Sequence, residues 1–339
     1  MLTLAEVSLI WLLLLEEFLK APFLVHFCLT FITYNGVVSK FNRSDITLFA
    51  DDTAVVSAAS DTSALVQQLQ QALTHIDTHL RSLNMELNSK KTLFLIIKGK
   101  DPSLQLMLNN NNIDQCTSFK YLGMHIDNDL SWKTHVTKLI CKVQKMWYTL
   151  HRCSGNSNKD KRLLLFRTYI YPHFLYGIQL YMFCSVSLRA KLEALLRRCC
   201  RLVIRDTQQI PLISSRSLYS LLDILPLRLL FQHCSAVLLF KILVLKQVPA
   251  LLSLFTIISQ TSRNARHVPS NVIVLRLPVV KFESGRHNFA YSGAKLWNTI
   301  PLNIRCCTSL SVFSKLYNIY LVSRLPDTQF DHYQILDFV

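Results

Sequence analysis

The sequence predicts an α/β (α+β) fold, mixed at first and mostly helical afterwards. Three observations carry this. ITLFADDTAVVS reads as strand, tight turn and strand, with β-branched or aromatic flanks around a polar centre. DTSALVQQLQQALTHIDTHLRSLNM sets Leu65, Leu69, Leu73, Ile76, Leu80 and Leu83 at helical spacing, with Asp61 or Ser63 as a cap. From Trp132 onward, helical patterns follow one another with few strand signals.

The elements follow in order. The first 34 residues are apolar but atypical. SLIWLLLL runs straight into Glu16 and Glu17, no Lys or Arg precedes Lys20, and the basic start of a secretory signal is missing. Neither apolar stretch reaches the roughly 18 to 20 residues of a spanning helix, although a membrane anchor through residues 8–34 stays open as an alternative. After the hairpin and the long helix comes a buried strand, KTLFLII. A polar loop then leads to a strand pair in SFKYLGMHI. Val136, Leu139, Ile140, Val143, Trp147 and Leu150 form the apolar stripe of the next helix, and Lys138, Lys142 and Lys145 share another face. A second basic helix runs through LRAKLEALLRRCCRLVIR, and Pro269, Pro278, Gly285, Gly293 and Pro301 punctuate the tail.

The chain has 339 residues, of which 50% are apolar, so it can bury sizeable cores and is not a disordered chain. Lys plus Arg exceed Asp plus Glu by 37 − 21 = 16. That surplus points to a polyanionic partner, most simply nucleic acid, with an acidic membrane surface as competitor. The 10 cysteines show no C-x-x-C spacing, which argues against a zinc finger or knuckle and for free, mostly buried thiols.

Asp51 and Asp52 pose the chemical question, because adjacent carboxylates repel and resist burial. An exposed turn satisfies them without any ligand. A pair of divalent cations satisfies them too, since such ions take hard oxygen ligands and drive nucleotidyl transfer when held about 3.5–4 Å apart. Asp127 and Asp129 in HIDNDL lack the glycine and terminal glutamate of a calcium loop and read as a turn and helix cap. His135 and His173 read as packing or hydrogen-bonding residues.

The order of LFADDTAVV, a long amphipathic helix, LNSKKTLFLI, FKYLGMHIDNDLSWKTH and RTYIYPHFLYGIQLY resembles the reverse transcriptases of non-LTR (LINE-type) retrotransposons of the jockey and chicken-repeat-like branch. HNFAYSGAKLWNTIP resembles a stretch near the end of such reading frames, so the likeness covers about residues 45 to 320. It implies a partial polymerase palm followed by a mostly helical thumb and carboxy-terminal region. The divisions it implies are an apolar segment 1–34, palm 35–130, thumb 131–205 and a helical remainder 206–339.

Position by position, the resemblance makes Asp51 the principal metal ligand and Asp52 its weaker neighbour, with Mg²⁺ as the ion. Phe49 matches the aromatic near the primer end. Lys91 matches the lysine near the incoming nucleotide's phosphates, where a cation can neutralise or protonate the leaving group; a solvated strand-edge lysine is the alternative. Tyr121, Leu122 and Gly123 match the primer-grip turn, or form an ordinary hairpin. Lys138, Lys142 and Lys145 match a thumb face touching backbone phosphates, or a solvated face; Arg197, Arg198, Arg201 and Arg205 raise the same choice. The implied partners are an RNA template, a DNA primer and dNTP, in the nucleus or a cytoplasmic ribonucleoprotein.

The resemblance also implies parts that are not found. A palm needs an earlier strand with another metal-binding aspartate, and a glycine- and glutamine-containing segment. Before Asp45 the acidic residues are Glu6, Glu16 and Glu17, and KAPFLVHFCLTFITYNG precedes the hairpin. The expectation is a truncated protein, inactive alone, with a sheet edge left open unless the apolar amino-terminal residues cover it. A non-catalytic nucleic-acid-binding remnant is the alternative.

Overall fold

The computed structural model describes residues 8–15, 44–49, 52–59, 62–82, 84–97, 104–153, 157–204, 215–258, 273–280, 286 and 288–324. The chain divides into two units, residues 1–135 and 136–339.

In the first unit, β2 (Ser44–Phe49) and β3 (Asp52–Ala59) pair antiparallel with Phe49 opposite Asp52, so the acidic stretch does connect a hairpin. Ala50, Asp51, Asp61 and Leu83 lie outside the described residues. The sheet edge expected to stand open unless the apolar amino-terminal residues cover it is filled by part of that segment. β1 (Ser8–Leu15) lies between β3 and β4 (Leu93–Ile97), antiparallel to both, in the order β2–β3–β1–β4–β7. An apolar octamer suits a strand bonded on both edges. The start of the 8–34 stretch is therefore a strand rather than part of a spanning helix, and residues 16–34 lie outside the described residues. Among the described residues no single helix is long and apolar enough to cross a membrane.

Alternation along the strands builds two cores. Val55, Phe94 and Ile96 face α1 (Thr62–Ser82), whose Leu65, Leu69, Leu73, Ile76 and Leu80 are almost fully buried. Ala54, Leu95 and Ile97 face the other way, against Phe119 and Ile126. This explains why LFLII reads as a continuous apolar run: its two faces are both covered. The short strands β5 (Met107–Leu108) and β6 (Asn111–Asn112) form a small hairpin, and β7 (Asp114–Gln115) pairs parallel with β4. β8 (Ser118–Tyr121) and β9 (Met124–Asp127) form the hairpin over the second core.

Asp127, 6% exposed, then starts α2 (Lys133–Cys153): its carboxylate accepts from the Thr134 N–H at 3.1 Å and the Ser131 hydroxyl at 3.3 Å. Asp129 accepts from the Ser131 N–H at 2.9 Å. HIDNDL is a turn and cap, as its composition suggested.

The second unit is helical. α3 (Lys159–Leu165) passes through a π-turn, Phe166–Ile170, into α4 (Tyr171–Leu175). Pro172 accounts for the widening, since its ring clashes with the carbonyl four residues back in a regular helix. Gly177, at φ 70°, turns the chain into α5 (Ile178–Tyr181). α6 (Val186–Val203), α7 (Ser215–Leu222), α8 (Leu227–Leu243) and α9 (Pro249–Leu252) follow. The unit ends in α10 (Phe289–Thr299), α11 (Leu302–Arg305) and α12 (Leu310–Ser323).

The late motif YSGAKLWNTIP is a structural clamp. Trp297 is fully buried and donates Nε1–H to the Ile273 carbonyl at 3.0 Å, while Asn298 exchanges two hydrogen bonds with the Leu275 backbone. Gly293 packs so closely that a Cβ there would lie 3.2 Å from Leu239.

The thiols depart from expectation. All nine described cysteines are free, but only Cys184, Cys199 and Cys200 are buried. The adjacent pair Cys199–Cys200 faces the core of α6, and burial pushes the Cys199 thiol up to about 12. Cys141 and Cys153 fall on the wet side of α2.

Candidate active site and nucleic-acid interface

The register brings three of the expected motifs to one end of the sheet. Leu15, the last residue of β1, pairs with Asp52, and Leu13 pairs with both Ala54 and Leu93. β3 and β4 therefore both begin at that end, and Lys91 lies just before β4, two strand spacings or about 10 Å from the hairpin. Asp52 and Lys91 are both half-buried.

Asn88 sets the lysine's place. Its carbonyl accepts from the Lys91 N–H at 3.1 Å, the Thr92 N–H at 3.0 Å and the Thr92 hydroxyl at 2.9 Å. Its side chain accepts from the Lys90 N–H at 3.1 Å. The N-x-x-K-T spacing is thus a folded turn that delivers Lys91 to the sheet end.

The β8–β9 hairpin packs on the same sheet, with Tyr121 against the core that Ala54 and Leu95 line. Burial first, and then the charge of Asp52, raise the Tyr121 hydroxyl above its ordinary pKa, so the ring lies within electrostatic reach of that carboxylate. Leu122 at φ 46° and Gly123 at φ 82° form the turn with two positive φ angles that a tight hairpin prefers. Glycine adopts this without cost. Leucine does not, so the turn holds a strained backbone at Leu122.

Phe49 ends β2 opposite Asp52 and is 60% exposed, an aromatic ring standing at the hairpin end. Asp51 lies outside the described residues. Among the described residues no group of three His, Cys, Asp or Glu side chains could hold a metal ion. The hard carboxylate oxygens of the Asp51–Asp52 doublet fit a hard divalent ion that takes few protein ligands.

His135 is not placed as a ligand. Its Nδ1 accepts from the His125 N–H at 3.4 Å, and burial lowers its pKa to about 4, with His125 adding to the shift.

In the second unit, Lys138, Lys142 and Lys145 are all exposed on one face of α2. The helix carries five Lys and Arg residues and no Asp or Glu. Burial and the charge of Lys142 lower the pKa of His173, so α4 borders this face.

Sequence reasoning left α6 undecided, and its pattern is clear in the structure. Lys191, Arg198 and Arg201 are exposed at spacings of seven and three, whereas Arg197 is half-buried. The helix's one carboxylate, Glu193, is 1% exposed and accepts from the Tyr219 hydroxyl and, at 2.8 Å, from the Leu227 N–H. An acidic residue in an apolar heptad position was the available signal for that inward turn.

Residues 20–126 match the family of reverse transcriptases (RNA-dependent DNA polymerases). The matched stretch contains the hairpin, Lys91 and the Tyr121 turn, and it starts after β1. A probable RNA-directed DNA polymerase from the transposon X-element of Drosophila melanogaster is 25% identical over 172 residues, 49% of this chain and 19% of that protein. The RNA-directed DNA polymerase from the mobile element jockey of the same organism is 24% identical over 166 residues, 47% of this chain and 18% of that protein. The matched region thus spans under a fifth of each relative. No solved structure matches the chain. The chain thus contains a stretch, residues 20–126, that matches the reverse transcriptase family, and the two relatives named are RNA-directed DNA polymerases of mobile elements.

Proposed function

We propose that this protein is a reverse transcriptase-like nucleic-acid binder whose first unit preserves part of a two-metal nucleotidyl-transfer site and does not polymerise on its own. The single observation that carries the reading is the convergence of Asp52, Lys91 and Tyr121 at one end of the sheet. In this reading residues 35–130 are the palm part and 131–205 the thumb, with Mg²⁺, an RNA template, a DNA primer and dNTP as the partners of the site.

Asp51 and Asp52 would hold the ions, which when bound activate the primer hydroxyl and stabilise the leaving phosphate. Lys91 supplies positive charge toward the nucleotide's phosphates. Phe49 and the Tyr121–Leu122–Gly123 turn position the primer end, because a tight turn lets backbone approach it closely. Lys138, Lys142 and Lys145 neutralise backbone phosphates without reading sequence.

The proposed inactivity rests on the site offering, among the described residues, fewer carboxylates than the resemblance requires. A missing ligand weakens metal affinity and misplaces the reacting oxygens. One observation favours a second reading, an active enzyme: β1 ends level with Asp52, and Glu16 and Glu17 follow it in the sequence. RNA-templated primer extension with Mg²⁺ or Mn²⁺ tests both. The first reading predicts no extension. Extension that Asp51→Ala abolishes, and that Glu16→Gln with Glu17→Gln also abolishes, establishes the second.

A further inference from the structure

The aromatic residues beside the basic helix faces raise a question that phosphate contacts alone do not answer. Along α2, Lys138, Cys141, Lys145, Tyr148 and Arg152 follow one another at alternating spacings of three and four, and all five are exposed. They therefore make one row on the helix surface, with Tyr148 between two cations. Tyr148 is 58% exposed, so its ring is available at the surface within that row.

The ring is also held. Its neighbour Trp147 meets it edge-on, with centroids 5.1 Å apart and planes at 79°. Trp147 in turn packs on His151 at 5.1 Å. From α6, the Arg198 guanidinium lies 3.8 Å from the Trp147 centroid and 5.9 Å from the Tyr148 centroid, a cation–π contact with the first and a near approach to the second. This contact joins the basic row of α2 to the basic row of α6, on which Lys191 and Arg201 are exposed. Glu193 does not interrupt the combined face, because its carboxylate is spent inside on Tyr219 and Leu227.

We infer that the α2–α6 face binds an unpaired nucleic-acid strand, its phosphates on the lysine and arginine rows and a base stacked on Tyr148. The inference rests on the nucleic-acid reading above and adds the form of the ligand. A duplex offers phosphates but keeps its bases stacked inside, so an exposed aromatic ring among cations gains nothing from it. An unpaired strand offers both, and base–aromatic stacking tolerates any sequence. The held position of Tyr148 lowers the ordering cost of that stack.

The test is fluorescence anisotropy on the full chain, using a labelled RNA of about 20 nucleotides, first single-stranded and then annealed to its complement. The single strand is expected to bind more tightly. Tyr148→Ala should weaken single-strand binding about tenfold and leave duplex binding unchanged, and Tyr148→Phe should retain it, because the ring and not the hydroxyl does the stacking. Thermal unfolding of the variants checks that the fold is kept, as an exposed side chain predicts. Single-strand binding that ignores Tyr148→Ala, or a duplex bound as tightly as the single strand, overturns this inference and leaves the nucleic-acid reading standing. A wild-type protein that binds neither form overturns both.

Discussion

The two units place their charges in opposite ways. In the first, charges of both signs are drawn to one end of a sheet, where Asp52 lies near Tyr121 and level with the turn that bears Lys91. In the second, signs are separated: α2 has no carboxylate, and α6 hides its single one while exposing Lys191, Arg198 and Arg201. Opposite charges gathered at one end of a sheet suit chemistry that must steady a changing charge. Separation leaves a uniform surface that suits a polyanion of any sequence. In the proposed reading, one chain therefore holds the layout of a reaction site and the layout of a binding face as distinct constructions.

Substitutions can break this contrast, and the largest effect belongs to the hidden carboxylate. Glu193→Ala strands the Tyr219 hydroxyl and the Leu227 N–H in the core and should cost about 3 kcal/mol, read as a lower urea midpoint. Asp52→Ala, at a half-buried sheet end, should change that midpoint far less. Equal losses would erase the difference between the units. Gly123→Ala comes next, at about 1–2 kcal/mol, because alanine is strained at φ 82°. A stability unchanged by that substitution would mean the turn does not hold its shape.

On the binding face the expected change is in salt dependence rather than stability. Replacing Lys138, Lys142 and Lys145 together with alanine should flatten the log affinity against log salt slope for single-stranded RNA by about 2. An unaltered slope would make the lysine row a solvated surface. A further effect concerns pH. His135 has a folded pKa of about 4, below its unfolded value of about 6.5, so the native state binds fewer protons in between. Stability should hold above pH 6.5 and fall as the pH drops toward 4, and His135→Gln should flatten that fall in urea titrations at each pH.

Much of this was legible in the chain. Period-two and period-3.6 patterns marked the hairpin and α1 because each has one clear apolar face. The spacing of Asn88, Lys91 and Thr92 was legible because it encodes a local turn. What stayed hidden depends on long-range pairing. SLIWLLLL carries no alternation to show a sheet, since a strand bonded on both edges and an apolar helix segment have the same composition, and only the pairing with β3 and β4 distinguishes them. The Arg198–Trp147 contact joins helices 51 positions apart in sequence (198 − 147), and no periodicity reports such a meeting. The thiols were expected inside because cysteine is usually buried, but at Cys141 and Cys153 the helical phase decides, and it points outward.

The account depends most on the aspartate doublet as a holder of divalent ions. Titrating Mn²⁺ into the full chain and following the free ion by electron paramagnetic resonance measures this directly. The account predicts a weak site in the native protein that disappears when Asp51 and Asp52 are both changed to Asn, with the fold intact. Identical Mn²⁺ uptake by the native and doubly substituted proteins would contradict it.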